Sequence, residues 1–457
     1  MIDQLVLLGA GGDLVSRLVT PALVRMEADG QLPDTLGIVA VARDDHDSDS
    51  FRRYLADQLD AHTSELDEDA RAAVLSRMSY HRADVTDADQ LAGAFDEARP
   101  AVAYLALPPA IFGRAIETLA SLGLAEDSRV VVEKPFGEGL ASARELNALL
   151  HRNFPERCIH RIDHFLGLQT VQNLLGLRFA NRMFEPVWNC NHIERVDIVW
   201  DETLTLEGRA GYYDGTGALR DMVQNHLLQV LALVAMEPPV SFDEHDLRSR
   251  KSQALREVRR LTAEEAAARS LRARYTAGRI GDRDVPAYLD EEGVDPDQDT
   301  ETLAVLTVEI DNWRWSGVPF RLRAGKALGR DRHEVVIGFR DVPHLAFGDD
   351  QVAAPNELHL EFEPDQLRVR VNVSGPGDPF TLEQVDLTRD LASHGMPAYA
   401  HVLRSILDGD PTLSIRDDEA ERSWEIVEPV LAAWREGDSP MLEYAAGSEG
   451  PQEAEAR

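Results

Sequence analysis

The stretch QLVLLGAGGDL, residues 4–14, decides the fold. Its first five residues predict a short buried strand, and the apolar spacing from Leu14 to about Met26 predicts a helix. Between them lies a glycine turn of the kind that binds dinucleotide phosphates, because glycine lets the backbone approach the pyrophosphate and a helix start offers free N–H groups. Leu14 replaces the third glycine of the usual G-x-G-x-x-G pattern. The turn alone is therefore also compatible with another kind of α/β protein.

Three more apolar runs rich in β-branched residues follow in the first third of the chain. They are Gly37–Ala42, Val102–Leu107 and Arg129–Val132, with helical patterns between them. Strands that alternate with helices predict a parallel, doubly wound sheet. We assign this sheet to a dinucleotide-binding domain over residues 1–160.

The remainder, residues 161–457, has a different pattern. Residues 216–236 predict one long amphipathic helix, and the polar stretch after Gly447 predicts a frayed tail. Six runs alternate like strands, namely Arg195–Trp200, Thr302–Ile310, Phe320–Ala324, Glu334–Phe339, Leu358–Phe362 and Leu367–Val373. Since no regular helices separate the later runs, we expect an α+β domain with a large, mostly antiparallel sheet.

The charge of the chain excludes several classes of partner. With 81 acidic and 47 basic residues the net charge is −34, and a field this negative repels DNA, RNA and anionic lipid. The longest apolar stretch, residues 227–236, is too short to span a bilayer. Two cysteines make no disulfide framework, and no signal-peptide pattern precedes the first strand. We therefore expect a cytoplasmic protein that binds neither nucleic acid nor membrane.

Lysine is almost absent from the chain. Only Lys134, Lys251 and Lys326 are lysines, and the other basic residues are arginines. Excess acid with little lysine fits a salt-tolerant protein and also a GC-rich genome. The local consequence is that each retained lysine becomes a candidate for a specific role.

Arg43, just after the second predicted strand, bears on the choice of cofactor. NAD sites place a carboxylate at this point to bind the ribose hydroxyls, whereas a guanidinium suits the 2′-phosphate of NADP. Arg43 therefore favours NADP. NAD stays possible, because Asp44 and Asp45 could pair with the arginine instead.

Three longer motifs carry a family resemblance. They are VEKPFG at 132–137, RIDHFLG at 161–167 and RDMVQNH at 220–226, and with the glycine turn they resemble the signature of glucose-6-phosphate dehydrogenases. The similarity continues through LRFAN at 177–181, EGR at 207–209, DNW at 311–313, RAGK at 323–326 and GSEGP at 447–451. The resemblance implies a Rossmann domain followed by the α+β domain, NADP or NAD as cofactor, and oxidation of C1 of an aldohexopyranose to the 1,5-lactone. It also implies a homodimer or homotetramer.

The resemblance further assigns the catalytic pair. His226 matches the family's catalytic base, and histidine suits this role because its pKa lies near working pH. Asp163 matches the carboxylate that orients the imidazole and stabilises its protonated form. A cis peptide bond before Pro135 is implied as well. The histidines lack the spacing with cysteines or carboxylates that would indicate a metal site.

Binding residues follow from the same resemblance. The substrate ligands are expected to be His164, Lys134, Glu202, Asp221 and Lys326. Carboxylates suit sugars because they accept hydrogen bonds from hydroxyl groups. The cofactor ligands are expected to be Gly9, Gly12, Asp13, Leu14, Arg43 and Lys134.

Two positions depart from the family where it binds the sugar's 6-phosphate. Leu168 replaces a lysine, and Asp331 replaces a second cation. The first change removes a charge-assisted hydrogen bond of roughly 1.5–3 kcal/mol, and the second places a carboxylate beside a dianion. Arg330 or Arg332 could compensate if the loop shifts by one residue.

Three hypotheses therefore stand. The first is a glucose-6-phosphate 1-dehydrogenase in which Arg330 or Arg332 replaces the missing cation. The second is a sugar 1-dehydrogenase for a non-phosphorylated or amino hexose, in which Asp331 accepts a hydroxyl or pairs with an amine. The third is a non-catalytic, nucleotide-binding regulatory homologue, which the joint presence of Asp163, His226, Lys134 and Lys326 opposes.

Overall fold

The computed structural model describes residues 2–63, 66–208, 210–347, 352–362, 364–377, 380–391 and 396–456. The chain forms two compact units. The first comprises residues 1–168, 239–248 and 394–421, and the second comprises 169–238, 249–393 and 422–457. The sequence assignment of a cofactor domain to 1–160 and a substrate domain to 161–457 concerns function and stays a prediction.

A seven-stranded sheet forms the centre of the first unit. Numbered along the chain, its strands are β1 (Gln4–Leu8), β2 (Gly37–Ala42), β3 (Met78–Arg82), β4 (Ala101–Leu105), β5 (Arg129–Glu133), β6 (Ile159–Ile162) and β17 (Ser414–Ile415). Their order is β17-β6-β5-β4-β1-β2-β3, and every pair is parallel except β17 with β6. The predicted doubly wound sheet is thus confirmed, with the strand order of a Rossmann fold.

Helices surround this sheet. They are α1 (Thr20–Ala28), α2 (Ser48–His62), α3 (Glu68–Ser76), α4 (Ala88–Leu91), α5 (Pro109–Ser121), α6 (Leu140–Asn153) and α12 (Ala398–Asp408). A π-helical segment, Val15–Val19, precedes α1, where the sequence predicted one regular helix. Apolar residues of β1, α1, α2, α3 and α12 form one core cluster.

The second unit contains a nine-stranded sheet and a small hairpin. The hairpin is β9 (Gly278–Ile280) with β10 (Arg283–Val285). The sheet strands are β7 (Ile193–Asp201), β8 (Ser270–Thr276), β11 (Leu303–Glu309), β12 (Pro319–Gly325), β13 (Arg332–Phe339), β14 (Glu357–Phe362), β15 (Asp365–Ser374), β16 (Leu382–Asp390) and β18 (Met441–Ala445). Their order is β16-β15-β14-β13-β7-β12-β11-β8-β18. Only β7 with β12 and β8 with β18 are parallel pairs, so the predicted, mostly antiparallel sheet is confirmed.

The remaining helices are α7 (Gln169–Phe179), α8 (Ala210–Tyr213), α9 (Leu228–Ala235), α10 (Glu244–Glu257), α11 (Ala263–Arg269), α13 (Asp417–Glu436) and α14 (Glu453–Ala456). Two sequence predictions need correction here. The helix predicted over 216–236 is π-helical from Leu219 to Leu227 and α-helical only from Leu228 to Ala235. The predicted frayed tail instead forms α14, because Ala454 is fully buried in an apolar cluster with Tyr275 and Tyr444.

Every helix among the described residues is too short or too polar to cross a bilayer.

Candidate active site

The glycine turn after β1 is shaped by the backbone of its neighbours. Gly9 has a φ of +90°, and a Cβ at this position would lie 2.2 Å from the carbonyl oxygen of Ala106. The N–H groups of Gly9 and Ala10 both donate to the carbonyl oxygen of Val41, at 2.9 and 3.0 Å. Only glycine fits such a close approach with a positive φ. The turn therefore holds the start of the following helix at the carboxyl edge of the sheet.

A cleft of about 430 Å³ opens beside this turn within the first unit. Gly9 and Gly12 line it, as do Arg43 after β2 and Arg114 on α5. The loops after β3 and β4 complete the lining. A cleft at the carboxyl ends of parallel strands, at the point where strand order reverses, is where such sheets bind ligands.

Asp13 and Leu14, the other two predicted cofactor ligands at the turn, have different surroundings. The exposed Asp13 side chain is 3.8 Å from the guanidinium of Arg17, and the half-buried Leu14 packs against the core cluster. Contact between these side chains and a cofactor stays a prediction.

The motif at 132–137 joins β5 to α6. The Lys134–Pro135 peptide bond is cis, as the family resemblance implies. Glu133, which precedes them, is 6% exposed and accepts a hydrogen bond from the Tyr104 hydroxyl. Burial raises the pKa of Glu133 to about 7, although bonds from Tyr104 and Tyr399 and the charge of Lys134 oppose this. A buried carboxyl group thus immediately precedes the half-buried Lys134 in the chain.

The motif at 161–167 forms a tight turn after β6. Asp163 is 1% exposed, and its Oδ1 accepts a hydrogen bond from the Phe165 N–H at 3.0 Å. The ring of His164 stacks on Tyr399 of α12, with centroids 5.3 Å apart and an angle of 17° between the planes. Gly167 permits this contact, because a Cβ there would lie 2.4 Å from the carbonyl oxygen of Ala398. The turn therefore presents His164 on an aromatic support.

Glu202 and Lys326 meet in the second unit. The Lys326 Nζ lies 2.5 Å from Glu202 Oε2, and the Trp200 indole N–H donates to Glu202 Oε1 at 3.2 Å. Both charged side chains are about one-fifth exposed. The pair offers a positive donor and unused carboxylate lone pairs at the end of adjacent strands β7 and β12, which suits a sugar.

The backbone of Lys326 is held from two sides. Its N–H donates to the Thr302 carbonyl at 2.9 Å, and its own carbonyl accepts from the Tyr444 hydroxyl at 2.6 Å. Its ammonium also lies 5.5 Å from the centre of the Tyr213 ring. By contrast Lys251 is 1% exposed and donates to Gln229 at 3.0 Å, so it serves the core.

The π-helical segment Leu219–Leu227 carries two predicted site residues, Asp221 and His226. They are five positions apart, which in an α-helix would separate them by about 140° around the axis. In a π-helix, bonds join residues five apart, so Asp221 and His226 lie close to one face. His226 is 1% exposed, and Asp221 is half-buried.

Glu301 holds the start of this segment. Its Oε1 accepts the Leu219 N–H at 2.9 Å, and a Cβ on Gly217 would lie 2.4 Å from the same oxygen. The carboxyl is 6% exposed, and burial raises its pKa to about 7. A hydrogen-bond acceptor at a helix start satisfies an otherwise unpaired N–H group.

The two departures at the phosphate position have distinct surroundings. Asp331 is exposed but engaged, because it accepts hydrogen bonds from the N–H and the hydroxyl of Thr203. Leu168 is half-buried at the end of the turn that carries His164. The half-buried Arg332 pairs with Asp201 at 3.3 Å, and the exposed Arg330 lies 3.7 Å from Glu449. A role for either arginine at a phosphate stays a prediction.

Each unit thus gathers part of the predicted set. The first unit brings Gly9, Gly12 and Arg43 to one cleft, and the second joins Glu202 to Lys326 and carries Asp221 with His226 on one segment. Asp163 belongs to the first unit and His226 to the second, and their pairing stays a prediction.

Sequence reasoning missed four supporting residues, Arg114, Glu133, Glu301 and Tyr399. Glu133 stands inside a quoted motif, and Arg114 follows the fourth strand at a spacing that could have placed it on the cleft side of α5. Glu301 and Tyr399 act through contacts distant in sequence, for which no local signal exists.

Comparison with known proteins covers the whole length of the chain. Residues 6–173 match the family model described as glucose-6-phosphate dehydrogenase, NAD binding domain, and residues 175–457 match that of the C-terminal domain. A glucose-6-phosphate 1-dehydrogenase of Zymomonas mobilis is 37% identical over 472 residues, which covers 99% of this chain and 96% of the relative. That of Gluconobacter oxydans is 40% identical and covers 98% and 94%.

Two solved structures that resemble this chain belong to the same family. A glucose-6-phosphate 1-dehydrogenase from Mycobacterium avium has a TM-score of 0.87 and 36% identity, with 100% of this chain and 97% of that one covered. A glucose-6-phosphate dehydrogenase in complex with its substrate also has a TM-score of 0.87, at 34% identity, with 99% and 96% covered. This chain belongs to the glucose-6-phosphate dehydrogenase family.

Proposed function

We propose that this protein oxidises C1 of glucose 6-phosphate to the 1,5-lactone and transfers the hydride to NADP, with NAD as a weaker acceptor. The observation that carries the proposal is the match over nearly the full length to glucose-6-phosphate 1-dehydrogenases, at 37–40% identity. The alternatives, a non-phosphorylated or amino sugar and a non-catalytic role, gain no support from these relatives.

The residues that line the cofactor cleft suit a bound dinucleotide. Gly12 lines the cleft without a side chain, and the helix start that follows it offers N–H donors to a pyrophosphate. Arg43 lines the same cleft and suits a 2′-phosphate. These residues fit NADP. The bound nicotinamide supplies the acceptor for the hydride.

His226 is the proposed base. Its imidazole takes the proton from the C1 hydroxyl as the C1–H bond breaks, and Asp163 is the proposed carboxylate that stabilises the resulting imidazolium. The π-helical segment supports this role, because residues five apart in a π-helix lie near one face. We expect Asp221 to accept a hydrogen bond from a sugar hydroxyl there.

The charges of the remaining site residues indicate which substrate groups each residue binds. Glu202 accepts hydrogen bonds from sugar hydroxyls, while Lys326 and Lys134 donate to sugar oxygens. His164, supported by Tyr399, binds the 6-phosphate. Because Leu168 and Asp331 replace two cations, we expect weaker phosphate binding than lysines at both positions would give, unless Arg330 or Arg332 contributes.

We also propose that the protein works in the cytoplasm as a homodimer or homotetramer. The family resemblance supports the assembly, and the net charge of −34 keeps it away from anionic surfaces. Size-exclusion chromatography with light scattering measures the number of subunits, and a monomer at micromolar concentration would contradict the assembly.

The test of the activity is NADPH absorbance with glucose 6-phosphate, glucose and an aminohexose, each at several salt concentrations. We expect turnover of glucose 6-phosphate at micromolar to low millimolar KM and little turnover of the other two. Faster turnover of glucose or the aminohexose would overturn the substrate assignment. Tight NADP binding without turnover of any aldose would favour a regulatory homologue.

A further inference from the structure

Arg114 is a basic residue in the cofactor cleft that the family resemblance does not assign. It lies on α5 one turn after Ile111, and both side chains line the cleft with Gly9, Gly12 and Arg43. Arg114 and Arg43 come from different sides of the cleft, since one follows β4 and the other follows β2. The cleft therefore contains two guanidinium groups where the sequence indicated one.

Neither guanidinium has an ion pair or a hydrogen-bond partner among the residues that the structure describes. This is notable in a chain with 81 acidic against 47 basic residues, where an arginine readily finds a carboxylate. The carboxylates that follow Arg43 in the sequence lie against other groups. Arg82 pairs with Asp45 at 2.7 Å, and the Asp44 Oδ2 would lie 2.6 Å from a Cβ on Gly11.

Both arginines affect the pKa of Asp84, which lies in the loop after β3. Hydrogen bonds from Thr86 hold the pKa of Asp84 below its usual range, and the nearby charges of Arg43 and Arg114 add to this effect. The two arginines thus act on the same region of the cleft. An anion bound there would meet two positive groups.

We propose that Arg114 is a second specificity-determining residue for the cofactor and that it binds the 2′-phosphate of NADP together with Arg43. This inference rests on the proposed function. Asp44 opposes it in part, because a carboxylate beside the glycine turn suits a free ribose hydroxyl and so keeps NAD acceptable. The preference for NADP then depends on both arginines rather than on Arg43 alone.

The experiment measures binding by calorimetry in the full-length protein and in Arg114→Ala, Arg43→Ala and Arg99→Ala. The probes are NADP, NAD, adenosine 2′,5′-bisphosphate and 5′-AMP, so that each pair differs by the 2′-phosphate. Arg99→Ala is the matched control, because it makes the same charge change at the amino end of β4, where Arg99 pairs with Asp3 and Asp96.

We expect Arg114→Ala to weaken NADP and the bisphosphate by about 10- to 100-fold, the range of a charge-assisted hydrogen bond. NAD and 5′-AMP should change by less than about twofold, and Arg114→Lys should recover part of the loss. Unchanged NADP affinity in Arg114→Ala, or equal losses for NADP and NAD, would overturn the inference. Absence of NADP binding in the unaltered protein would instead overturn the proposed function.

Discussion

The carboxylate of Asp331 accepts a hydrogen bond from the Thr203 N–H at 2.6 Å and lies 3.3 Å from the Thr203 hydroxyl. Thr203 follows Glu202, which pairs with Lys326. The residue that departs most from the family pattern thus fixes the loop that carries a predicted sugar ligand.

Asp331→Asn separates the charge of this residue from its hydrogen bonds. The amide oxygen can still accept the Thr203 N–H, while the negative charge beside the 6-phosphate is lost. We expect the KM for glucose 6-phosphate to fall by about 3- to 10-fold, since tenfold corresponds to about 1.4 kcal/mol. In Asp331→Ala the loop also loses its anchor, so KM should not improve. Steady-state kinetics checks both, and an unchanged KM in Asp331→Asn would place the carboxylate away from the phosphate.

His226→Asn should abolish turnover and leave cofactor binding nearly intact. A positioned base contributes about 10²- to 10⁴-fold to rate, so kcat should fall by at least the lower figure. The backbone N–H of His226 bonds to Asn225 Oδ1 at 2.6 Å, and this bond is independent of the imidazole. Turnover assays and NADP titration provide the test. A large loss of NADP affinity would contradict the assigned role.

Two variants at Tyr399 separate its ring from its hydroxyl. Tyr399→Leu removes the ring stacked on His164, and since an aromatic pair contributes about 0.5–1.5 kcal/mol, the KM for glucose 6-phosphate should rise by about 2- to 12-fold. NADP affinity should not change. Tyr399→Phe retains the ring, so its KM should stay near that of the unaltered protein.

The Tyr399→Phe variant, which lacks only the hydroxyl, should lose stability. Glu133 accepts hydrogen bonds from Tyr399 and Tyr104, and the loss of one donor to a buried carboxyl group costs about 1–3 kcal/mol. Urea unfolding of Tyr399→Phe and of the unaltered protein measures this loss. If Tyr399→Phe raised KM as much as Tyr399→Leu, the ring would not be the part that supports His164.

Glu301 makes stability depend on pH. Its pKa is about 7 in the folded protein against an ordinary value of 4.5, so the folded chain retains a proton that the unfolded chain releases. The stabilisation is complete below pH 4.5 and is lost as pH rises through about 7, by roughly 3 kcal/mol at most. Glu301→Gln cannot titrate and retains an acceptor for the Leu219 N–H.

Urea midpoints at pH 5 and pH 8 test this dependence. The unaltered protein should lose more stability between the two values than Glu301→Gln does. Glu133, which also titrates near pH 7, is present in both proteins, so its contribution cancels from the comparison. Parallel pH profiles would show that Glu301 does not titrate in this range.

Local pattern was sufficient for the cofactor end of the fold. β1 is apolar after Gln4 and is followed directly by the glycine turn, and β2 is an uninterrupted apolar run, so both strands could be placed at their observed bounds. β6 could not be placed, because its sequence IHRI contains His160 and Arg161, which the fold buries with partners from other segments. His160 bonds to Ser414 at 3.1 Å, and Arg161 bonds to Asn147 and Glu156 at 3.0 and 2.9 Å.

The segment that carries the proposed base could be identified from its sequence, but its geometry could not. The motif at 220–226 predicted a helix and identified His226 as the base. It did not predict a π-helix, because α- and π-helices differ only in which carbonyl oxygen accepts each N–H. Distant groups influence that choice, here the Glu301 carboxyl at Leu219. Tyr399 likewise reaches His164 only because Gly167 admits the backbone of Ala398, which no local pattern encodes.

The scarcity of lysine has a practical consequence for handling the protein. Lys251 is sealed in the core, and the other two lysine side chains are the ones expected to contact substrate or cofactor. Reagents that acylate amines would thus find few lysines outside the proposed site. Coupling a dye or a solid support through lysine would compete directly with glucose 6-phosphate. The chain has 81 acidic residues, so attachment through carboxylates would fall mostly outside the proposed site, and only acids such as Glu202 and Asp221 would need protection by bound substrate.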